Sequence, residues 1–367
     1  MRILLIAPSV TASRGEAHFH RGLLQELAFY GHDARAVCPA PLVEPIAELA
    51  ERVPLSADYP GVAAREPCTD ADVEAEAAEA DLVLVHDRTP EPLRARLVRS
   101  RRAGVRARLL LHDTHARTPD PGELCSPLEA EGFDGVLAAC GTLADAYARQ
   151  GWGRRVLRWA PGADTRAFAP LSPPCTDADV LVLGHWGPRR LQADFIRWVL
   201  DPLRQAGVRA TVTGSGYPLP LQERLQTMGI APPRAALNTA LPELFSRHRA
   251  VVPLPLPGSG LDLPGRPPLA MLEAMACGMP VIRGLWPDMG DCFEAGEDHL
   301  AAASPEMMRA QIQRVLLDRT LADRLGHRAR VRVTRRHSCI ARADELLAFA
   351  QTLRAGPDAP LRPRLHA

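Results

Sequence analysis

The sequence predicts an α/β fold built from two domains. A chain of 367 residues is longer than one ordinary hydrophobic core organises. Residues 2–8, RILLIAP, form a continuous apolar run that is typical of a strand buried on both faces of a parallel sheet. The same order of strand, loop and helix restarts at residues 177–192, DADVLVLGHWGPRRLQ. We therefore expect two doubly wound domains that bind ligands at the carboxyl ends of their strands.

The composition indicates a globular protein without a general affinity for nucleic acid. Hydrophobic residues make up 46% of the chain and the formal net charge is +1, which argues against a broad surface for nucleic acid or anionic membranes. The sequence has no lysine, so all 44 basic residues are arginine. Any cationic side chain that binds a phosphate must consequently be an arginine fork.

The cysteines and the N-terminus favour a cytoplasmic protein. Eight cysteines are scattered without a CxxC pair, which favours separate thiols in a reducing compartment over a disulfide framework. The apolar run at residues 3–7 is too short for a signal peptide, and no stretch of the sequence reaches the length of a membrane span.

Two loops of the first half could contact a substrate. The loop at residues 9–16 contains one glycine, Gly15, so a dinucleotide fingerprint is absent and bound NAD is not expected. His112, Asp113 and His115 follow the apolar strand at 109–111, where an α/β site would lie. These side chains either meet a substrate or fix their own loop. Their spacing matches no known zinc motif, so we predict no metal ion.

Glycines and an arginine pair mark the strand ends of the second half. Gly184 ends a strand and allows a close approach of the backbone to a ligand, while Arg189 and Arg190 open the next helix. An anion between the arginines is favoured over the alternative of plain surface arginines. Gly214 and Gly216 form a sharp turn after the following strand.

The stretch at residues 267–281, PPLAMLEAMACGMPV, predicts a short buried helix followed by a strand. Its apolar residues cover most of the helix, Gly278 ends it, and Glu273 is its single charged residue. A buried carboxylate needs a partner, either a protein donor or a ligand. Because a glycine-rich loop at 258–266 precedes the helix, we favour a nucleotide diphosphate on backbone amides and a ribose on Glu273.

In this order the motifs resemble the retaining glycosyltransferases of GT-B architecture in glycosyltransferase family four, also called glycosyl transferases group 1. More narrowly, they resemble its CgeB-like branch. LEAMACGMPV is a fairly specific motif, and the weaker ones arrive in the family's order; they are RILLIAPS, LLLHDTH, GVLAACGTLADAYARQGWG, VLGHWGPRR, TGSGYP, FEAGEDHL and RRHSCIARADELL.

The resemblance implies two Rossmann-like doubly wound domains that face each other across a cleft. The small and proline-rich linker at 163–174 gives their boundary. An acceptor domain would span residues 1–165 and a nucleotide-sugar donor domain residues 166–337. A final helix at 338–353 would cross back to the first domain, and residues 354–367 would form a loose tail.

The resemblance also implies roles for individual residues. Arg190 and His112 are the expected catalytic residues, because they match the family's phosphate-binding cation and the histidine near the transferred sugar. The other donor-binding residues would be Glu273 on the ribose, with Arg189, Gly184, Gly214, Gly216, Gly15 and Leu269. The acceptor or sugar vicinity would hold His18, Asp113 and His115. Two positions depart from the family: Gly265 replaces its first glutamate, and His185 replaces an arginine.

The implied activity is hexosyl transfer from a nucleotide-diphosphate sugar to an acceptor hydroxyl, with retention and without metal. The nucleotide sugar is a co-substrate, no cofactor is expected, the acceptor is unidentified, and neither nucleic acid nor a transmembrane segment is expected. Gly265 keeps a non-catalytic sugar-nucleotide-binding protein open as an alternative. A nucleotide-sugar 2-epimerase of the same architecture is the other alternative.

Overall fold

The computed structural model describes residues 1–12, 16–39, 55–114, 132–171, 178–184, 186, 192–234, 236, 240–254, 267–284 and 292–353, and at 56, 57 and 154 it describes the backbone alone. The chain divides into two compact units. Unit 1 comprises Met1–Gly162 together with Cys339–Ala367, and unit 2 comprises Ala163–Ser338.

Unit 1 contains a seven-stranded parallel sheet. Its strand order is β3-β2-β1-β4-β5-β6-β7. The strands are β1 (Arg2–Ile6), β2 (Asp33–Pro39), β3 (Ala63–Cys68), β4 (Leu82–His86), β5 (Arg108–Asp113), β6 (Gly135–Ala138) and β7 (Val156–Arg158). The order reverses between β1 and β4, so the ligand crevice expected of a doubly wound sheet lies beyond the carboxyl ends of these two strands.

The helices of unit 1 connect these parallel strands. They are α1 (Ala17–Phe29), α2 (Leu55–Asp58), α3 (Asp70–Glu79), α4 (Glu91–Arg102) and α5 (Gly141–Arg149), with a 3₁₀ turn at Gly153–Arg155 and a final helix at Cys339–Thr352. Helix α1 is buried along Ala17–Leu27. The final helix is anchored to unit 1, because the indole of Trp159 donates a hydrogen bond to the carbonyl of Arg342 at 3.1 Å.

Unit 2 repeats the α/β architecture with shorter strands. They are β8 (Val180–Leu183), β9 (Ala210–Thr213), β10 (Ala250–Pro253), β11 (Ile282–Gly284) and β12 (Leu300–Ala302). Strand β8 lies between β10 and β9, and β11 pairs with β12. A parallel bridge between Val251 and Val281 continues the order from β10 to β11. Strand β8, the first strand of unit 2, therefore has a neighbour on each side, and the topological switch point lies between β8 and β10.

The helices of unit 2 surround these strands. They are α6 (Gln192–Phe195), which continues through a π-helical turn at Ile196–Leu200 into α7 (Asp201–Ala206), then α8 (Leu219–Thr227), α9 (Leu241–Ser246), α10 (Leu269–Ala276), α11 (Pro305–Leu317) and α12 (Arg319–Arg336). The final helix of unit 1, Cys339–Thr352, is α13. Helix α10 and residues of α12 share one apolar core with β10.

Most of the predicted elements are present, but two strands, β3 and β12, were not predicted. Residues 39–80 are rich in Pro, Ala and acidic groups, which predicts a helix with irregular surroundings, and β3 falls within them. Its side chains are mostly exposed, so it lacks the continuous apolar run that identifies a buried parallel strand. The sequence also predicts a short strand at 237–240, where residues 237–239 lie outside the described residues.

No helix within the described ranges is both long enough and apolar enough to cross a membrane.

Candidate functional site

Unit 1 gathers buried ionisable side chains at its topological switch point. His86 ends β4, His112 lies near the end of β5 beside it, and His20 comes from α1, the helix after β1. The three imidazoles are 0–1% exposed. Two carboxylates, Glu16 and Asp87, contact His86. We call these five residues the histidine nest.

His86 lies between the two carboxylates of the nest. Its Nε2 is 3.1 Å from Glu16 Oε2, and its Nδ1 is 2.8 Å from Asp87 Oδ1. The amide of Arg88 also approaches Nδ1, at 3.1 Å, but the fully buried carboxylate of Asp87 favours a proton on this nitrogen. Burial lowers the pKa of His86, yet hydrogen bonds to Asp87 and Glu16 outweigh burial and raise the pKa to about 9.

His20 occupies the opposite electrostatic environment. Both of its ring nitrogens are buried, and neither has a hydrogen-bond partner among the described residues. Burial, followed by the charge on His86, lowers the pKa of His20 to about 3. The ring centroids of His20, His86 and His112 are 5.4–6.2 Å apart. The nest thus combines one charged and one neutral imidazole within a single cluster.

The loop after β1, which leads to the nest, is held by two charged side chains. The carboxylate of Glu66, in β3, accepts hydrogen bonds from the hydroxyls of Ser9 and Thr11 and from the amides of Val10 and Thr11. On the other side the guanidinium of Arg21, which is fully buried, donates to the carbonyls of Val10 and Ala12. The backbone of residues 9–12 is therefore fixed from both sides.

Asp113 and Thr114 are tied into unit 1. The hydroxyl of Tyr147 donates to Asp113 Oδ2 at 2.6 Å, and the hydroxyl of Thr114 donates to Asp87 Oδ1 at 3.0 Å. Both residues are at most 1% exposed. His18 is also buried in α1, but residues two apart on a helix face different directions, so it does not share the face of His20. The described geometry gives Asp113 and Thr114 a structural role in positioning the end of β5.

In unit 2 the predicted glycines lie at the ends of two neighbouring strands. Gly184 follows β8, and Gly214 and Gly216 follow β9. Gly184 has φ +151°, and a Cβ there would lie 2.7 Å from the Cβ of Leu254. At Gly216, with φ +79°, a Cβ would lie 3.0 Å from the carbonyl of Trp186. Both positions need glycine for backbone conformation and for close packing.

Helix α10 has the predicted form. It follows Pro268, ends before Gly278 at φ +76°, and buries every residue from Met271 to Ala276. Glu273 is 2% exposed and Leu269, at the helix start, is partly buried. Burial, followed by the charge of Glu273, raises the pKa of the Cys277 thiol to about 12. A buried carboxylate therefore lies in an otherwise apolar helix, as the sequence predicts.

Several predicted site residues lie outside the described residues. They are Gly15, His115, Arg189 and Arg190, together with the two family departures His185 and Gly265. Their roles stay predictions. The remaining residues fall into two groups. His112, Asp113 and His18 belong to unit 1, and Gly184, Gly214, Gly216, Leu269 and Glu273 belong to unit 2.

Sequence reasoning missed the contributions of His20, His86 and Glu66. A signal for His86 was present, because two adjacent apolar strands end in the same pair, His86-Asp87 and His112-Asp113. Parallel strands in register bring such pairs side by side. No sequence signal distinguishes His20 from a core residue of α1. Glu66 lies in β3, which was not predicted.

Comparison with known proteins agrees with this geometry. A family model described as glycosyl transferase-like matches residues 189–348, a little under half of the chain. No curated protein sequence matches the chain.

Three solved structures are similar over nearly the whole length. HepE from Anabaena, solved in complex with UDP, has 16% identity and a TM-score of 0.63, with 97% of this chain and 100% of that chain covered. Sucrose-phosphate synthase from Thermosynechococcus elongatus has 15% identity and a TM-score of 0.62, with 97% and 100% covered. A putative UDP-N-acetylglucosamine 2-epimerase from Listeria monocytogenes has 12% identity and a TM-score of 0.59, with 99% of each chain covered.

The fold class is therefore that of the GT-B glycosyltransferases, with two Rossmann-like α/β units. The glycosyl transferase-like match begins at Arg189 and contains α10 with Glu273. The closer assignment to family four and its CgeB-like branch stays a prediction.

Proposed function

We propose that this chain is a glycosyltransferase that moves a sugar, of the hexosyl class, from a nucleotide-diphosphate sugar to an acceptor hydroxyl. The transfer proceeds with retention at the anomeric carbon and without a metal ion on the diphosphate. The single observation that carries the proposal is the buried carboxylate of Glu273 on apolar α10, inside the glycosyl transferase-like match. The HepE neighbour was solved with UDP, which supports a nucleotide-sugar donor.

Unit 2 would bind the donor. Glu273 accepts hydrogen bonds from the ribose hydroxyls, and its helix begins at Leu269 beside the nucleotide. The turns at Gly184, Gly214 and Gly216 bring backbone close to the diphosphate, and Arg190, with Arg189, neutralises the charge that grows on the departing phosphate. Gly15 of unit 1 contributes backbone beneath the diphosphate.

Unit 1 would supply the surroundings of the transferred sugar and the acceptor. His112 contacts the sugar, and His18, Asp113 and His115 lie in its vicinity. In the reaction the bond between the anomeric carbon and the phosphate oxygen breaks while the acceptor oxygen forms a new bond to that carbon. The proton of the acceptor hydroxyl passes to the leaving phosphate, so no separate base is required.

The proposal includes no cofactor for the transfer and no nucleic-acid partner. We also propose a cytoplasmic location. The six described cysteines, at 38, 68, 140, 277, 292 and 339, form no disulfide with one another, which agrees with a reducing compartment.

A donor panel tests the activity. The chain is incubated with UDP-, GDP- and ADP-sugars, and nucleotide release and acceptor labelling are measured, with NMR assignment of the product anomer. Release of nucleotide with an anomer of unchanged configuration is expected for one donor. Release with inversion would contradict retention, and the absence of release from every donor would favour a non-catalytic binding protein.

Two alternatives have specific support. The epimerase-like neighbour favours a 2-epimerase, which would change the sugar at C2 without transferring it to an acceptor. The same NMR experiment detects this product. Gly265 in place of the family's first glutamate favours the non-catalytic protein, which would bind the nucleotide and leave the sugar bond intact.

The role of Arg190 is tested by separating phosphate from nucleoside binding. We expect Arg190→Ala to weaken binding of UDP by about 10-fold or more, the scale of a lost charge-assisted hydrogen bond, while uridine binding is unchanged. Arg197→Ala, which removes an exposed arginine of the following helical turn, is the matched control. Equal losses for UDP and uridine would contradict the phosphate role.

A further inference from the structure

Three buried histidines from separate segments of unit 1 bring ring nitrogens together. One nitrogen from each of His20, His86 and His112 can be chosen so that all three lie within 4.8 Å of one another. The rings are inclined at 76–89° to each other, so they converge from different directions instead of stacking. Such an arrangement resembles the three-histidine ligand sets that bind zinc.

The spacing of the rings is close to that of a metal complex. Three imidazoles on one tetrahedral zinc ion, with Zn–N bonds of about 2.1 Å, have ring centroids roughly 5.2 Å apart. The observed centroid distances are 5.4 Å for His86 and His112, 5.9 Å for His20 and His86, and 6.2 Å for His20 and His112. Inward movements of about 1 Å or less, as side-chain rotations allow, would complete the site.

Two carboxylates that contact His86 supply a candidate fourth ligand and an outer partner. Glu16 does not belong to the set of three ligand atoms within 4.8 Å of one another, so it would reach the ion through a side-chain rotation. Glu16 Oε2 lies 3.1 Å from His86 Nε2, and two ligand atoms on one tetrahedral zinc ion are roughly 3.3 Å apart. On the far side of the ring Asp87 Oδ1 lies 2.8 Å from Nδ1. A carboxylate that accepts a hydrogen bond from the second nitrogen of a ligating histidine is the usual outer partner of such a ligand.

His20 provides the independent observation that a ligand is missing. The residue is 1% exposed, and within the part of the chain that the structure describes neither ring nitrogen has a hydrogen-bond partner. Burying an imidazole in this way costs free energy that an apolar residue of similar size would not. A metal ion would accept the lone pair of one nitrogen and remove part of that cost.

We propose that His20, His86 and His112, with Glu16, bind one divalent transition-metal ion of the Zn²⁺ class at the switch point of unit 1. On binding, the ion takes the lone pair of His86 Nε2, and the proton on this nitrogen passes to solvent. His86 keeps the proton on Nδ1 and donates it in a hydrogen bond to Asp87, which orients the ring. The negative charges of Glu16 and Asp87 stabilise the dication.

This inference does not rest on the proposed transfer reaction. Each histidine offers a single nitrogen to the ion. The ligands of the ion belong to unit 1, whereas the proposed function assigns the diphosphate to unit 2. The sequence predicts no metal ion because the spacing of His112, Asp113 and His115 matches no zinc motif. The three histidines proposed as ligands come from segments separated by 66 and 26 residues, so they form no linear motif.

The experiment measures metal directly on the full chain. Protein without an affinity tag is stripped with a chelator and dialysed against micromolar Zn²⁺, and bound zinc is counted by mass spectrometry. Replacement by Co²⁺ then reports the ligands through its visible ligand-field bands. We expect one ion per chain and the spectrum of tetrahedral cobalt with nitrogen and oxygen ligands.

Variants assign the ion to the histidine nest. His20→Gln should weaken zinc binding by more than the roughly 10–100-fold that loss of an outer partner costs, and Asp87→Asn should cost roughly 10–100-fold. The matched control is His299→Gln in unit 2, since His299 is likewise buried and its ring nitrogens have no hydrogen-bond partner in the described ranges. This control should bind zinc as the wild type does.

Three results would overturn the proposal. One is wild-type protein that retains no zinc at micromolar concentration. Another is a cobalt spectrum of the wild-type protein with thiolate or octahedral character. This result does not depend on the folding of any variant. The last is zinc binding by folded His20→Gln, verified by circular dichroism, that equals that of His299→Gln.

Discussion

The two units arrange their strand ends in opposite ways. In unit 1 the ends of β4 and β5 carry ionisable side chains that are each at most 1% exposed. They are His86, Asp87, His112 and Asp113. In unit 2 the ends of β8 and β9 carry Gly184, Gly214 and Gly216, and the one buried carboxylate of α10, Glu273, lies on the following helix. Unit 1 thus offers side-chain chemistry, whereas unit 2 offers backbone and one carboxylate.

This difference fits a division of labour. Phosphates bind well to backbone amides at strand ends and helix starts, which needs small residues there. A sugar or acceptor needs directional hydrogen bonds from fixed side chains, and the network from Tyr147 to Asp113 fixes such groups. The predictions below test whether backbone packing governs unit 2 and whether charged networks govern unit 1.

The largest effect on stability is expected at the contact between α12 and the turn after α10. A Cβ on Gly326 would lie 2.1 Å from the carbonyl oxygen of Gly278, and backbone cannot rotate away as a side chain can. Gly326→Ala should lower the free energy of unfolding by about 3 kcal/mol. Urea unfolding followed by circular dichroism measures this loss.

A variant of the partner residue is the control. Among the described residues, a Cβ on Gly278 would contact Pro170 alone, at 3.7 Å, but alanine must adopt φ +76°. Gly278→Ala should therefore cost about 1 kcal/mol from left-handed strain. Equal losses for the two variants would mean that the close backbone approach does not govern this part of unit 2.

The next effect concerns pH and the buried His299 of unit 2. Burial, followed by the charge of Arg283, lowers the pKa of His299 to about 3. Because the unfolded histidine titrates near its usual 6.5, the unfolded state binds the extra proton and stability falls as pH decreases from 6.5 towards 3. At pH 5 the loss should be about 2 kcal/mol.

His299→Leu checks this assignment. The variant removes the titrating group. Between pH 7 and pH 5 its unfolding free energy should therefore fall by about 2 kcal/mol less than that of the wild type. Ile282→Val, which changes a buried residue of unit 2 without a titrating group, is the control and should keep the wild-type pH dependence. A pH dependence in His299→Leu identical to wild type would contradict the account.

A smaller pair of effects compares one hydroxyl in each unit. Tyr147 donates to the buried carboxylate of Asp113 at 2.6 Å, and Tyr217 donates to the neutral carbonyl of Gly184 at 3.0 Å. Hydrogen bonds to charged groups are roughly twice as strong. Tyr147→Phe should therefore cost about 2 kcal/mol of unfolding free energy and Tyr217→Phe about 1 kcal/mol.

Thermal unfolding of both variants under one set of conditions measures this pair. The two residues are similarly buried, at 2% and 5% exposed, so differences in solvation do not confound the comparison. A larger loss for Tyr217→Phe would reverse the contrast between the units.

The sequence predicted unit 2 more completely than unit 1. Helix α10, its stop at Gly278 and the buried position of Glu273 follow from local patterns, namely an apolar helix between prolines and a glycine. Likewise Gly184 and Gly216 are identified by residue type, because their role depends on backbone conformation. These features are encoded within a few consecutive residues.

The histidine nest could not be predicted in the same way. His20 occupies a helix position that a core residue could fill, and its proximity to His86 and His112 arises only from the strand order of the sheet. Glu66 reaches residues 9–11 from β3, an exposed edge strand without apolar periodicity. Contacts between segments that are distant in the sequence leave no local pattern. The sequence therefore predicts most strands and helices of unit 1 but not the contacts of His20 and Glu66.

Calorimetry of UDP binding to Glu273→Ala tests the central claim most directly. Our account predicts that wild-type protein binds UDP or GDP and that this variant binds the same nucleotide at least about 10-fold more weakly, because a charge-assisted hydrogen bond to the ribose is lost. Glu26→Ala removes an equally buried glutamate, 2% exposed, from unit 1 and should leave the affinity unchanged. Unchanged affinity in folded Glu273→Ala would contradict the assignment of this carboxylate to the nucleotide.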